Sequence, residues 1–216
     1  MSPTRIRVGI ETSRLKSFAS ALDWPGWSRP GKTPEAAVET LLLYAPRYAA
    51  VAGRAALSLA PGDLDAEIVE QVEGDATTAF GAPSVTFEAD RAPSNAAEAK
   101  RIAALVQAAW TTFDEAASAA PEELRKGPRG GGRNTSRIVE HVVGAEQAYA
   151  TRLGVRVRMP DPTDAAAVAA LRAAILEPLR RPSDGSPIDR WTQRYAARRI
   201  AWHAIDHAWE IEDRST

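Results

Sequence analysis

Cysteine is absent from this chain of 216 residues. Its absence excludes disulfides, thiolate metal ligands and a cysteine nucleophile, and it suits a reducing compartment. An excess of one charge sign is also missing. The formal net charge is -1, so no general electrostatic attraction to nucleic acid is expected. No 18-residue apolar run occurs, which argues against a membrane span. Met1 to Ser13 lack the apolar centre of a signal peptide, so a cytoplasmic location is expected. Histidine is scarce, with three in the whole chain. The remaining composition, 44% hydrophobic and 25% charged, is ordinary for a globular protein. A chain of this length can bury a sizeable core without staples.

The pattern changes character along the chain. Arg5 to Glu11 alternates around Ile6, Val8 and Ile10, a strand signal of period two. Leu15 to Leu22 offers a second strand, Asp23 to Trp27 a Pro-Gly turn, and Trp27 to Gly31 a short third strand. Thr33-Pro34-Glu35 announces a helix, with Thr as N-cap, Pro at the first helical position and Glu in the first turn. Pro46 kinks or ends it. Asp65 to Gly74 is a further strand candidate. Thr77 to Pro93 reads as loop, with Val85 to Glu88 as one more candidate strand. A domain boundary is placed near residue 90. Beyond it the pattern is helical: Asn95 to Ala120, Thr135 to Leu153, Thr163 to Leu179, and Pro187 to Asp213 with Pro187 just inside its start. Strands first and helices afterwards predict an α+β chain, with a small unit over 1–90 and a four-helix bundle over 91–216.

All three histidines fall in the helical half. His203 and His207 stand one turn apart on one helix face, about 5–6 Å between Cβ atoms. They share the stripe Ala196, Ile200, His203, His207, Ile211, so both face the bundle interior. His141 borders the stripe Ile138, Val142, Ala145, Tyr149 of another helix and can supply a third nitrogen. Three imidazoles suit Zn²⁺ and leave a position open for water or substrate, the catalytic arrangement; imidazole ligands alone also admit Ni²⁺ or Mn²⁺. Glu210 shares their edge, as a fourth ligand or as a base that carries a proton. Position 204 is Ala, so the His-Glu-x-x-His pattern of zinc proteases is absent.

His141 within Arg137-Ile-Val-Glu-His-Val-Val-Gly-Ala-Glu-Gln-Ala-Tyr, followed by His203-x-x-x-His207, resembles the DinB-like superfamily over about residues 94–213. The resemblance implies an up-down-down-up four-helix bundle, with a metal held by one histidine of its second helix and two of its fourth. It also implies thiol-dependent transferase or isomerase chemistry, with a low-molecular-weight thiol such as mycothiol as cofactor. A second resemblance covers about residues 5–55. Phe18 to Ala37, with its strand, Pro-Gly turn, Gly-x-Thr helix start and Ala-rich helix, is similar to the HicB-like pattern. That implies a β-β-β-α fold; an obvious DNA-binding tail is lacking, so the fold is carried over and the antitoxin activity is not.

Three features remain. The loop Lys126 to Arg133 brings Arg129 and Arg133 among glycines and can bind a carboxylate or phosphate, or serve simply as a solvated connection. Trp202 and Trp209, beside the histidine stripe, can wall a substrate pocket but are read first as packing against a neighbouring unit, and Trp24 and Trp27 are either the surface on which the N-terminal unit docks or a binding patch. Asp206, Glu210, Glu212 and Asp213 make the end of the last helix acidic, against the helix dipole, with a cation or Arg198 and Arg199 as compensation. The leading reading is a metal-dependent enzyme acting on a small-molecule electrophile, without nucleic-acid or membrane partners. The rival is a binding module with a structural or absent metal, whose N-terminal unit mediates partner contact or homodimer formation.

Overall fold

The structure, a computed structural model, describes residues 4–126 and 132–215. The alternating segment at the start forms β1 (Thr4–Thr12), followed by β2 (Ser17–Ala21) and β3 (Ser28–Gly31). These make an antiparallel meander. The later acidic strand β4 (Leu64–Glu73) pairs parallel to β1, so the sheet order is β3-β2-β1-β4. Between them run α1 (Pro34–Leu43) and α2 (Ala45–Arg54). Thr33 caps α1, its side chain accepting from the Ala36 N–H at 3.2 Å. Pro46 begins a helix instead of ending one: the chain turns at Tyr44, and Pro46 sits in the first turn of α2, where a missing N–H costs nothing.

Two parts of the sequence reading are corrected. Ala76–Phe80 is a short helix, α3, with Asp75 as its cap. Val85 to Glu88 forms no strand, because side chains use its backbone groups. Glu11 accepts from the Ser84 and Val85 N–H groups, and Arg198 donates to the Val85 carbonyl. A 3-10 turn, Glu88–Arg91, follows. The ring of Phe87 lies over Gly9, where an added Cβ would stand 2.8 Å from it. Glycine in β1 therefore answers a close approach, next to a register shift between Val8 and Gly9.

Four long helices complete the chain: α4 (Ala96–Ala119), α5 (Thr135–Arg152), α6 (Ala165–Leu179) and α7 (Gln193–Ser215). Asn95, Asn134 and Asp164 cap the first three through their side-chain oxygens. Pro187 lies outside α7, a correction to the expected start. Thr192 supplies the N-terminus instead, its carbonyl accepting from Ala196. The preceding residues are tied elsewhere: Arg190 N–H donates to the Arg152 carbonyl, and Gly185 has φ +93°.

Hydrogen bonds at the two ends give the helix directions. Ser94 pairs with Ser183, and Arg194 donates to the Pro93 carbonyl, so α4 and α7 start together beside the end of α6. Arg125 N–H donates to the Arg214 carbonyl, so both finish together. At that far end Thr135 N–H donates to the Glu122 carbonyl, where α5 begins. Thus α4 and α7 run one way, α5 and α6 the other. Helix α7 touches α4, α5 and α6, and α6 also touches α4 and α5.

The N-terminal part sits on α7. The turn Trp24-Pro25-Gly26-Trp27 is held by the Tyr48 hydroxyl, which donates to the Pro25 carbonyl, and by Trp27 Nε1, which donates to the Leu41 carbonyl. Gly26 has φ +97°, and a Cβ there would meet Ile205 at 2.6 Å and Ala201 at 2.9 Å. Only glycine fits both the backbone and the contact. Trp209 packs on Tyr44, and Trp202 on Phe18. One buried cluster runs from Ile6 to Ile211 without a break at residue 90.

Candidate metal centre

The three histidines meet between α5 and α7. Their ligand nitrogens all lie within 4.8 Å of one another. His141 Nε2 and His203 Nε2 are 3.2 Å apart. Two nitrogens held tetrahedrally about 2.0–2.1 Å from one ion would be roughly 3.3–3.4 Å apart. The observed pair therefore has the spacing of one edge of such a shell. Ring centroids stand 4.7 Å apart for His203 and His207, and 5.0 Å from His141 to each. The reason is local: His203 and His207 are four residues apart on α7, and His141 stands in the second turn of the antiparallel α5.

His203 is buried, while His141 and His207 are more open. Burial, more than any neighbour, pushes His203 well below the usual imidazole range; charges on His207, His141, Arg199 and Arg133 push the same way. His141 is lowered too, by burial and then by His207 and Arg133, with Glu210 opposing. Both rings are thus neutral near pH 7, with lone pairs free for a cation.

Glu210 lies 2.8 Å from His207 Nδ1 through Oε2, and its Oε1 accepts from Arg214 Nη1 at 2.6 Å. Its pKa is lowered, first by the His207 hydrogen bond. A carboxylate only accepts, so the His207 proton belongs on Nδ1 and Nε2 keeps its lone pair. Carboxylate–histidine pairs of this kind orient metal ligands. Both oxygens of Glu210 are engaged, which fits its reading as a base behind the ligands better than that of a fourth ligand. His203 Nδ1 is buried with no partner among the described residues; that ring is held by packing, with Tyr149 edge-on at 5.7 Å and Trp202 at 6.1 Å.

Arg129 lies outside the described residues. The Arg133 carbonyl accepts from Arg214 Nη2, which ties Arg133 to the end of α7, and the Arg133 charge reaches His141 and His203. The acidic end of α7 is balanced otherwise than expected. Arg29 pairs with Asp206, Arg47 with Glu212 and Asp213, and Arg214 with Glu210. Arg198 instead holds the buried Asp90, and Arg199 the Pro83 carbonyl. The sequence reading did not bring Arg199 or the Tyr149 hydroxyl to the site. The i, i+4 relation of Arg199 to His203 was the available signal.

Fold and side chains define an α+β protein with a three-histidine cluster between two of its long helices. Compared with models of protein families, with curated proteins and with solved structures, the chain finds no match.

Proposed function

We propose that this protein is a metal-dependent enzyme of the DinB-like type, holding a divalent ion through His141, His203 and His207. The observation that carries the reading is the convergence of the chain's only three histidines, two of them with Nε2 atoms 3.2 Å apart. Zinc is the first choice for three neutral imidazoles, with nickel and manganese as alternatives. The helix directions support the DinB-like reading, since α4 and α7 run against α5 and α6 as that resemblance implies. The β1-β2-β3-α1 order supports the HicB-like reading of the N-terminal part, to which the parallel β4 is an addition.

A divalent ion held by these three histidines would lower the pKa of a bound thiol or water. The protein's own residues keep the three rings in order. Glu210 keeps the His207 proton on Nδ1, and Arg214 keeps Glu210 in place. Arg133, with Arg129 from the same loop, is proposed to attract an anionic group of the cofactor or substrate. The thiol chemistry, with a thiol such as mycothiol attacking a small electrophile in a transfer or isomerisation, rests on the resemblance. The same reading keeps the protein in the cytoplasm with a small-molecule substrate.

The test is elemental analysis of protein loaded with zinc at neutral pH. A stoichiometric ion is expected in the wild type and none in His207→Ala. Glu210→Gln should weaken zinc affinity about 10–100-fold, the usual effect of losing a carboxylate behind a ligating histidine. A wild-type protein that takes up no divalent ion, or a His207→Ala protein that keeps its full complement, overturns the proposal.

A further inference from the structure

The arginines of α7 are of two kinds. Arg194 pairs with Glu98, Arg198 with Asp90 and Arg214 with Glu210. Arg199 has no carboxylate partner among the described residues. Its hydrogen bond runs from Nη1 to the Pro83 carbonyl at 2.9 Å. Its guanidinium carbon lies 5.0 Å from the Trp202 ring centroid and 5.8 Å from that of Tyr149. The same two rings flank His203, at 6.1 and 5.7 Å between centroids. The cation and the histidine cluster therefore share two aromatic walls.

A guanidinium offers five N–H donors in one plane. The guanidinium lies over two aromatic rings, and Pro83 takes one donor, which leaves N–H groups for an anion. Other donors nearby also lack acceptors. Trp202 Nε1 is buried with no partner, and the Tyr149 hydroxyl makes no hydrogen bond among the described residues. A phenol is protonated at neutral pH and can donate. A ligand that only accepts would partner these donors and neutralise the guanidinium.

We infer that Arg199, with the Tyr149 hydroxyl beside it, forms a carboxylate-binding subsite next to the histidine cluster, so that the small molecule handled there carries a carboxylate. This rests on the reading of the cluster as the working site. A guanidinium fork pairs with a planar carboxylate through two parallel N–H···O bonds, and phosphate, which the same fork also binds, is the arm of the test that separates the two. Arg199 is then a specificity determinant: it selects an anion and would fix the distance between its carboxylate and the histidine cluster.

The test titrates the full chain with benzoate, benzamide and inorganic phosphate, by calorimetry and by tryptophan fluorescence. Metal-free and zinc-loaded protein are both used, because a carboxylate also binds zinc directly. Benzoate should saturate the wild type in both states. Benzamide binding, and benzoate binding to Arg199→Gln, should be weaker by about tenfold or more, the loss expected when a charge-assisted pair is removed. Arg199→Lys keeps a cation and a donor for Pro83 but lacks the planar fork; severalfold weaker benzoate binding by that variant supports a bidentate site even if Arg199→Gln folds poorly. Equal benzoate affinity in wild type and Arg199→Lys, with Arg199→Gln also equal or unfolded, overturns the subsite. So does absence of saturable benzoate binding, or Arg199-dependent binding of phosphate in preference to benzoate. The two proposals fail separately. Protein that binds no zinc but keeps Arg199-dependent benzoate binding defeats the metal reading alone. Protein with a full zinc complement and benzoate binding indifferent to Arg199 defeats the subsite alone.

Discussion

Neutral imidazoles are what a cation requires of His141 and His203, and burial supplies them. A proton on His203 would face the other two imidazoles, Arg199 and Arg133, and one on His141 would face His207 and Arg133. The same effect sets a pH dependence of stability. Both folded-state pKa values lie below the ordinary imidazole value of about 6.5. Between that value and the lowered ones, the unfolded chain binds protons that the native chain refuses. Stability of the metal-free protein therefore rises with pH across this window, and acidification from about pH 6.5 downward removes it. Urea midpoints at about pH 7.5 and pH 5.5 check this: the midpoint should fall on acidification, and fall less in His203→Gln. An equal fall in the variant sinks the assignment. The histidine spacing was legible in the sequence because four residues make about one helical turn. The role of Arg199 was not, because its partner at Pro83 lies over a hundred positions away and is a carbonyl, which no residue type announces.

Among the elements, the long helices, α1 and the strands could be read, while α3 and the 3-10 turn could not. Asn95, Asn134 and Asp164 cap helices that hydrophobic periodicity already marks. The segment from Thr77 to Pro93 has no periodicity, and tertiary contacts organise it. Arg198 and Asp90, both buried, make a two-point pair, Nη2 to Oδ2 at 2.6 Å and Nε to Oδ1 at 3.2 Å, and Asp90 also accepts from the Phe87 N–H. This pair clamps the 3-10 turn to α7 one turn before His203. Arg198→Met should strand a buried carboxylate and cost about 3–5 kcal/mol, seen as a lower urea midpoint at neutral pH. The double variant Arg198→Met/Asp90→Asn should recover part of that loss. A single variant as stable as the wild type would show that the pair holds nothing.

For the whole molecule, the decisive fact is that α7 is covered on both its α5 side and its sheet side, with exposed residues only at its end, Glu212, Asp213 and Ser215. His203 and His207 face α5, while Ala201, Ile205, Trp202 and Trp209 are covered by the turn at Gly26, by Phe18 and by Tyr44. Trp202 and Trp209 are buried as a result, at 5% and 3% exposure. Removing residues 1–90 would expose this face at about 1.5–3 kcal/mol for each large apolar side chain. A fragment of residues 91–216 is accordingly expected to bind a hydrophobic dye and to lose the cooperative unfolding of the full chain. A fragment that melts as sharply as the whole and binds no dye would show that the helices stand alone.

The order of strands and helices, most of the caps and the pairing of His203 with His207 are local matters, set by alternation, helical period and side chains that reach their own backbone within a turn. The sequence therefore determines them. The approach of His141, the commitment of Glu210 to His207 and Arg214, the placing of Arg199 beside His203 and the docking of the sheet on α7 depend on contacts between distant segments. No periodicity encodes such contacts, and only the packed chain decides which surfaces leave water together.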